Sequence, residues 1–267
     1  MMTKNEVTNP GERIRLLGRQ MGLWRHGFDF PRACQQLFHD IDLKGKTMME
    51  IGCGKGLFSL WAALQGAEHV VGLEPLLEGA FDSDRCHKDF ARMAESLGLN
   101  RAEILPLRLQ DYACPKDYFD IVLSVASINH LDEEQCVNLG RDPHARVVYR
   151  EIFDHVADML RPGGTLIIVD CSNRNLFGDR GIKNPFVPTI EWFKHRQPSY
   201  WAELLAESGF ANPKIDWLAG RFLRYLRVFS VTQQMSYMVS SAFRLVMNCQ
   251  KKSLPLGTPE MVARARG

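Results

Sequence analysis

Residues 50–56 read Glu50-Ile51-Gly52-Cys53-Gly54-Lys55-Gly56, an acid followed by three glycines at alternate positions, directly after a short apolar run. This spacing constrains the fold strongly. A strand entering from Thr47 has to end in a turn nearly free of side chains before a helix begins at Leu57, so that backbone can press against a bound nucleotide. Two phosphate-binding patterns fail here. A dinucleotide fingerprint requires G-x-G-x-x-G, and Leu57 stands where its third glycine belongs. A phosphate-cradling loop requires Gly-Lys-Ser/Thr, and Lys55 is followed by Gly56 and Leu57.

The features that follow are ordered. His69-Val70-Val71-Gly72-Leu73-Glu74 is a second apolar run closing on a carboxylate, 18 residues past Gly56. Gln110-Asp111-Tyr112 follows a third run, Asp120 to Ser124 forms a fourth, and Leu160-Arg161-Pro162-Gly163-Gly164-Thr165-Leu166-Ile167-Ile168 reads as helix end, turn and fifth strand. Together with the acid-x-Gly-x-Gly-x-Gly turn, these residues resemble the class I S-adenosylmethionine-dependent methyltransferases of small-molecule type. The resemblance implies an α/β fold: a Rossmann-like, doubly wound seven-stranded sheet, mostly parallel with an antiparallel last strand, with helices on both faces. It also implies S-adenosyl-L-methionine as cofactor. On that basis Gly52, Gly54 and Gly56 approach the methionine part, and Glu50 orients their loop or reaches the amino group through water. Glu74 takes the ribose diol, Pro75 and Leu76 lie against the adenine, and Gln110, Asp111 and Tyr112 surround its amine and ring face. Ser124, at the end of the fourth run, completes the cofactor set.

Composition narrows the setting. The 267 residues are 45% hydrophobic, ample for one large domain, and 33 Lys plus Arg against 31 Asp plus Glu give a formal charge of only +2. No block of like charge marks a nucleic-acid tail, so a small-molecule acceptor and no nucleic-acid partner are expected. The first 19 residues lack the apolar core of a signal peptide and no run approaches a membrane span, which points to the cytoplasm. Seven scattered cysteines without a C-x-x-C pair fit a reducing compartment and argue against a zinc site, so no metal is expected. Nothing in the sequence specifies an oligomeric state.

From Thr47 apolar runs alternate with amphipathic stretches: strand 47–51, helix 57–65, strand 69–73, helix 84–97, strand 102–109, strand 120–125, helix 143–160, strand 164–170, helix 199–208. That alternation means a parallel sheet covered on both faces. Pro106 inside the third strand is compatible with an edge position. Residues 215–218 and 242–247 supply a sixth and a seventh strand. The expected organisation is an N-terminal helical cap over 1–45 with helices at 13–23 and 31–40, a methyltransferase domain over 46–250, and a disordered tail over 251–267. The aromatic stretch 24–30 either covers the cofactor or packs a helix on the sheet. Two insertions stand out. Residues 171–198, rich in Asn, Gly, Pro and aromatics, follow the fifth strand and are the leading substrate-recognition segment. Residues 219–240 suggest a helix with Arg221, Arg224 and Arg227 near one face and Phe222, Leu226 and Phe229 on another, read either as a membrane or anionic-substrate contact or as an ordinary half-buried helix.

Methyl transfer from a sulfonium is an in-line displacement, so alignment supplies most of the gain, and an aliphatic hydroxyl acceptor additionally needs a base. His130, after the fourth strand, and His195, among the aromatics of the first insertion, are the candidate catalytic residues. Each also has a structural reading, His130 in packing and His195 as a surface or helix-entry residue. Asp170 ends the fifth strand, where it holds a base or a substrate hydroxyl or caps the next turn. His144 in the first turn of a helix is disfavoured as a cation. O-methylation of a secondary metabolite or sugar is expected. The alternatives are a lipid-linked or glycan acceptor, a non-catalytic cofactor-binding subunit and, remotely, a nicotinamide enzyme.

Overall fold

A computed structural model describes residues 9–23, 29–76, 83–219 and 230–250. Seven strands form one sheet in the order β3-β2-β1-β4-β5-β7-β6, with β1 at Thr47–Ile51, β2 at His69–Leu73, β3 at Ala102–Leu105, β4 at Phe119–Val125, β5 at Leu160–Cys171, β6 at Phe210–Trp217 and β7 at Ala242–Cys249. β1 to β5 are parallel, and β7 runs antiparallel between β5 and β6. The helices are α1 (Pro10–Gln20), α2 (Phe30–Leu37), α3 (Leu57–Leu64), α4 (Ser83–Leu97), α5 (Glu133–Asn138), α6 (Pro143–Met159), α7 (Pro198–Glu207) and α8 (Gln233–Val239). Every residue of β1 is buried, as a strand covered on both faces requires.

Alternate residues of the strands enter two cores. Met48, Val70, Ile121, Leu123 and Ile167 pack under residues of α1 to α4, whereas Met49, Val71, Val122, Leu166 and Ile168 pack under α5, α6 and α7. The doubly wound sheet expected from the alternation is therefore present, with β3 at its edge.

Several boundaries move, each for a physical reason. β3 stops at Leu105, so Pro106 ends the strand instead of lying inside it, and a 3-10 turn at Leu109–Asp111 replaces the expected continuation to 109. β5 begins at Leu160 because Leu160 pairs with Phe119 while residues 161–164 loop out before Ile121 meets Thr165. β6 spans Phe210–Trp217, earlier than 215–218, held by long-range pairing to β7 although half of its residues are solvent-exposed. α1 starts at Pro10, where Asn9 caps the Gly11 amide, and ends at Gln20; α2 ends at Leu37, short of residue 40. The aromatic stretch 24–28, Arg221, Arg224, Arg227, Phe222, Leu226, Phe229 and the tail from 251 lie outside the described residues. Among the described residues no helix is long and apolar enough to cross a membrane.

One buried charge ties the N-terminal helices to the sheet. The Arg244 guanidinium on β7 is sealed from solvent and donates to Asp216 (2.8 Å), to the Leu37 carbonyl (2.8 Å) and to Asp40, which also pairs with Lys214. A guanidinium in an apolar strand is tolerable only when its charge is paired and each of its nitrogens finds an acceptor in this way.

Candidate functional site

The register sets the site. Ile51 pairs with Ser124 and Ser124 with Ile168, so β1, β4 and β5 end in one row at the carboxyl edge of the sheet, where doubly wound sheets bind ligands. The turn after β1 rises from this row with Gly52, Gly54 and Gly56 all left-handed, at φ of 65°, 54° and 60°. Two of these glycines answer to the protein itself. A Cβ on Gly52 would stand 2.3 Å from the Ser127 hydroxyl and one on Gly56 would stand 2.5 Å from the Phe90 ring. Cys53 also packs into the turn, covering Gly72 of β2, where a Cβ would lie 2.7 Å from its sulfur.

The acids divide their labour by the pleat. Glu50 points to the α3 side, where its carboxylate accepts from the Ser59 amide (2.9 Å) and hydroxyl (2.5 Å). α3 starts at Gly56, which has no side chain to cap it, so Glu50 supplies the missing acceptor. Burial pushes the Glu50 carboxyl up to about 8, the bonds from Ser59 opposing this and the charge of Glu74 adding to it. Glu74, just past β2, accepts a 2.8 Å bond from the Gly54 amide, which joins the glycine turn to the end of the neighbouring strand. His87 on α4 bonds the Glu74 carbonyl (3.0 Å), and Lys55 in the turn pairs with Asp89 of α4 (2.9 Å). Neither contact was evident from sequence, because each joins residues distant in the chain that only the packing of α4 brings together.

The remaining predicted residues fall around this centre. Pro75 is half-buried and Leu76 exposed. Gln110 and Asp111 lie exposed in the 3-10 turn, and the Gln110 amide donates to the Leu131 carbonyl (2.7 Å), closing the loop after β3 onto the loop after β4. Tyr112 packs partly buried against the α6-side core. Ser124 is buried and its hydroxyl has no partner among the described residues, and the same holds for the side-chain oxygen of Asn129, a residue that sequence reading passed over.

The two histidines differ sharply. His130 is half-exposed and held at 2.5 Å by Glu133, which is also bound by Lys194 (2.8 Å). His195 is buried, and its Nδ1 lies 3.1 and 3.2 Å from the two carboxylate oxygens of Asp170. The Glu133–Lys194 pair brings the two histidine-bearing segments together. His144 stays exposed at the start of α6, its amide capped by Asp142 (2.9 Å). A separate cleft of about 480 Å³, lined by Arg150, Asp154, Asp158, Glu207 and Cys249 among others, opens at the opposite end of the sheet and shares no residue with this site.

A family described as a methyltransferase domain matches residues 23–214, 192 of the 267 positions. The chain belongs to this family. Its fold is that of the class I S-adenosylmethionine-dependent methyltransferases. Solved structures of such methyltransferases share the fold: one from Mesorhizobium loti has a TM-score of 0.54 at 16% identity, covering 80% of this chain and 97% of that one. Another from Aquifex aeolicus has a TM-score of 0.52 at 14% identity, covering 90% and 98%.

Among curated relatives, the tRNA U34 carboxymethyltransferase of Hahella chejuensis is 30% identical over 149 residues, 54% of this methyltransferase and 37% of the relative. That of Desulfotalea psychrophila is 31% identical over 130 residues, 49% and 34%. The chain thus spans little more than a third of the length of these relatives. Their named substrate overturns the expectation of a small-molecule acceptor with no nucleic acid. The physical reason lies in averaging. A formal charge of +2 over the whole chain conceals five Lys and Arg against two Asp and Glu within residues 171–198.

Proposed function

We propose that this methyltransferase acts on an RNA nucleoside, a tRNA being the first candidate. The observation that carries the reading is the set of relatives named for tRNA U34. The segment 171–198 supports it: this lobe follows β5 at the carboxyl edge, and Phe186, Phe193, Arg180 and Lys183 are all exposed on it. Exposed rings interleaved with cations suit bases that stack and phosphates that pair. The lobe is braced by α8 through Asn184 to the Val239 carbonyl (2.7 Å), Leu176 to the Tyr237 carbonyl (3.0 Å) and the Tyr237 hydroxyl to Asp179 (3.0 Å).

The residues at the glycine turn fit the cofactor. One Glu74 oxygen is taken by Gly54, while the other forms no hydrogen bond among the described residues and is left to accept from a diol. The unpartnered Ser124 hydroxyl adds a buried polar group at the same row. In this reading Gly52, Gly54 and Gly56 present backbone to the amino-acid end, Glu50 holds the loop by capping α3, and Pro75, Gln110, Asp111 and Tyr112 border the adenine. When bound, S-adenosylmethionine supplies an electrophilic methyl on a sulfonium. The protein's share is to hold the acceptor in line with it. The cytoplasm is the proposed setting.

Incubation of the full chain with methyl-labelled S-adenosylmethionine and unfractionated tRNA, followed by nucleoside digestion, tests the proposal. Label in a nucleoside is expected. Label confined to a tRNA-free metabolite extract defeats the RNA reading.

A further inference from the structure

Asp170 and His195 come from opposite ends of a 25-residue excursion, yet both are buried and share two contacts near 3.1 Å. Their position is specific. Asp170 lies two residues beyond Ile168, whose partner Ser124 pairs in turn with Ile51, so the carboxylate stands two strand spacings, about 10 Å, from the strand that carries the glycine turn. Asp170 follows the alternation of Leu166 and Ile168 onto the α5 side, where the 3-10 turn Trp192–Lys194 delivers His195. That turn is fixed independently: the Cys136 thiol donates to the Lys194 carbonyl (3.1 Å), and Arg196 donates to the carbonyls of Cys136 (2.5 Å) and Val137 (3.0 Å). Trp192 leans on the imidazole with ring centroids 6.1 Å apart.

A carboxylate accepts only, so the ring nitrogen facing Asp170 carries the proton. That leaves Nε2 as the bare nitrogen. Nε2 makes no hydrogen bond with the described residues and is not sealed from solvent, unlike Nε2 of His155. A pair whose sole task was to anchor the lobe would not need to keep one ring nitrogen open at the carboxyl edge.

We infer that Asp170 and His195 form a proton-accepting pair for methyl transfer to a hydroxyl of the acceptor, with His195 as the base and Asp170 as its positioning residue. As the acceptor oxygen forms its bond to the methyl carbon, the carbon–sulfur bond breaks and its electron pair returns to sulfur, giving the neutral thioether. The hydroxyl proton passes to Nε2, and the resulting imidazolium is paired with the Asp170 carboxylate. A hydroxyl needs this help, whereas a nucleophile already ionised does not. The inference deepens the RNA reading by naming the reacting group, but it rests only on methyl transfer and stands for any hydroxyl acceptor.

The test uses the full chain with 15N-labelled histidine. Near pH 9, where an ordinary imidazole is neutral, His195 is expected as the Nδ1–H tautomer, and Asp170→Asn is expected to abolish that preference. Transfer is measured in parallel with tRNA and with a tRNA-free metabolite extract. His195→Ala should lower turnover about 100-fold or more while leaving affinity for S-adenosylhomocysteine within about twofold, and added imidazole should restore part of the rate. A residue that only pins the lobe would cost melting temperature and would not be rescued. An Nε2–H tautomer in the wild type, turnover of His195→Ala within about threefold of wild type, or label on nitrogen or carbon instead of oxygen overturns the inference. Label in the metabolite fraction alone defeats the RNA reading while leaving the pair to be judged on that acceptor. With label in neither fraction, the tautomer decides.

Discussion

The Glu74 carboxylate accepts a 2.8 Å hydrogen bond from the Gly54 amide, so the end of β2 and the turn after β1 form one constellation. Twenty residues of chain separate the two, but parallel pairing of Ile51 with Leu73 sets them side by side. Removing the acid therefore removes a brace for the loop and, on the proposed reading, a ligand for the cofactor. Glu74→Ala is expected to weaken S-adenosylhomocysteine binding by about 1–3 kcal/mol, roughly 5- to 150-fold, and Glu74→Gln by less because it keeps an acceptor. Calorimetric titration measures both, and unchanged affinity in the alanine variant would remove Glu74 from the cofactor site.

The Gly52 position separates backbone strain from crowding. Alanine there pays about 1–2 kcal/mol for a left-handed backbone and about 1–3 kcal/mol more for forcing its Cβ onto Ser127. The double variant Gly52→Ala with Ser127→Gly should recover the crowding part alone. Denaturant titrations of the two single variants and the double one give the coupling, and strict additivity would show that Ser127 is not the obstacle.

The clamp at Arg244 predicts a pH dependence of stability. Partial burial of Asp40 resists ionisation, but hydrogen bonds from Lys214 and Arg244 and the Arg244 charge outweigh it and hold the carboxyl down at about 2. A depressed folded value means that the stabilisation is complete above the unfolded value near 3.8 and is lost as pH falls through about 2. Asp40→Asn should therefore cost on the order of 1–2 kcal/mol at pH 6 and progressively less toward pH 2, with Asp40 only partly screened from water. Urea midpoints across that range read the difference. A penalty that stays constant with pH would mean that shape, not charge, makes the contact.

How far the sequence disclosed this arrangement depends on the range of each interaction. β1 and β2 were legible to the residue because apolar runs end at glycine or acid, both local signals. α5 was missed although Asp132, three residues before Gln135, carries the signature of a helix start, and its side chain does accept from the Gln135 amide at 3.0 Å. β6 was read too short because Ala211-Asn212-Pro213-Lys214 has no strand pattern of its own and is defined by β7. Asp170 and His195 were each visible as candidates. Their pairing was not, since a long loop decides which residues meet.

The lobe after β5 carries the last prediction. Phe193 is 57% exposed and Phe186 46%, large rings left in solvent on a segment that also exposes Arg180 and Lys183. If bases stack on these rings, Phe193→Ala should weaken tRNA binding by about 1–3 kcal/mol at any salt concentration. Lys183→Ala should act differently, lowering the slope of log affinity against log salt by about 0.7–0.9, because one phosphate contact releases that share of a counterion. Fluorescence anisotropy between about 50 and 200 mM salt separates the two effects. Affinity that ignores salt in the wild type, or variants indistinguishable from it, would move the RNA contact away from this face of the sheet.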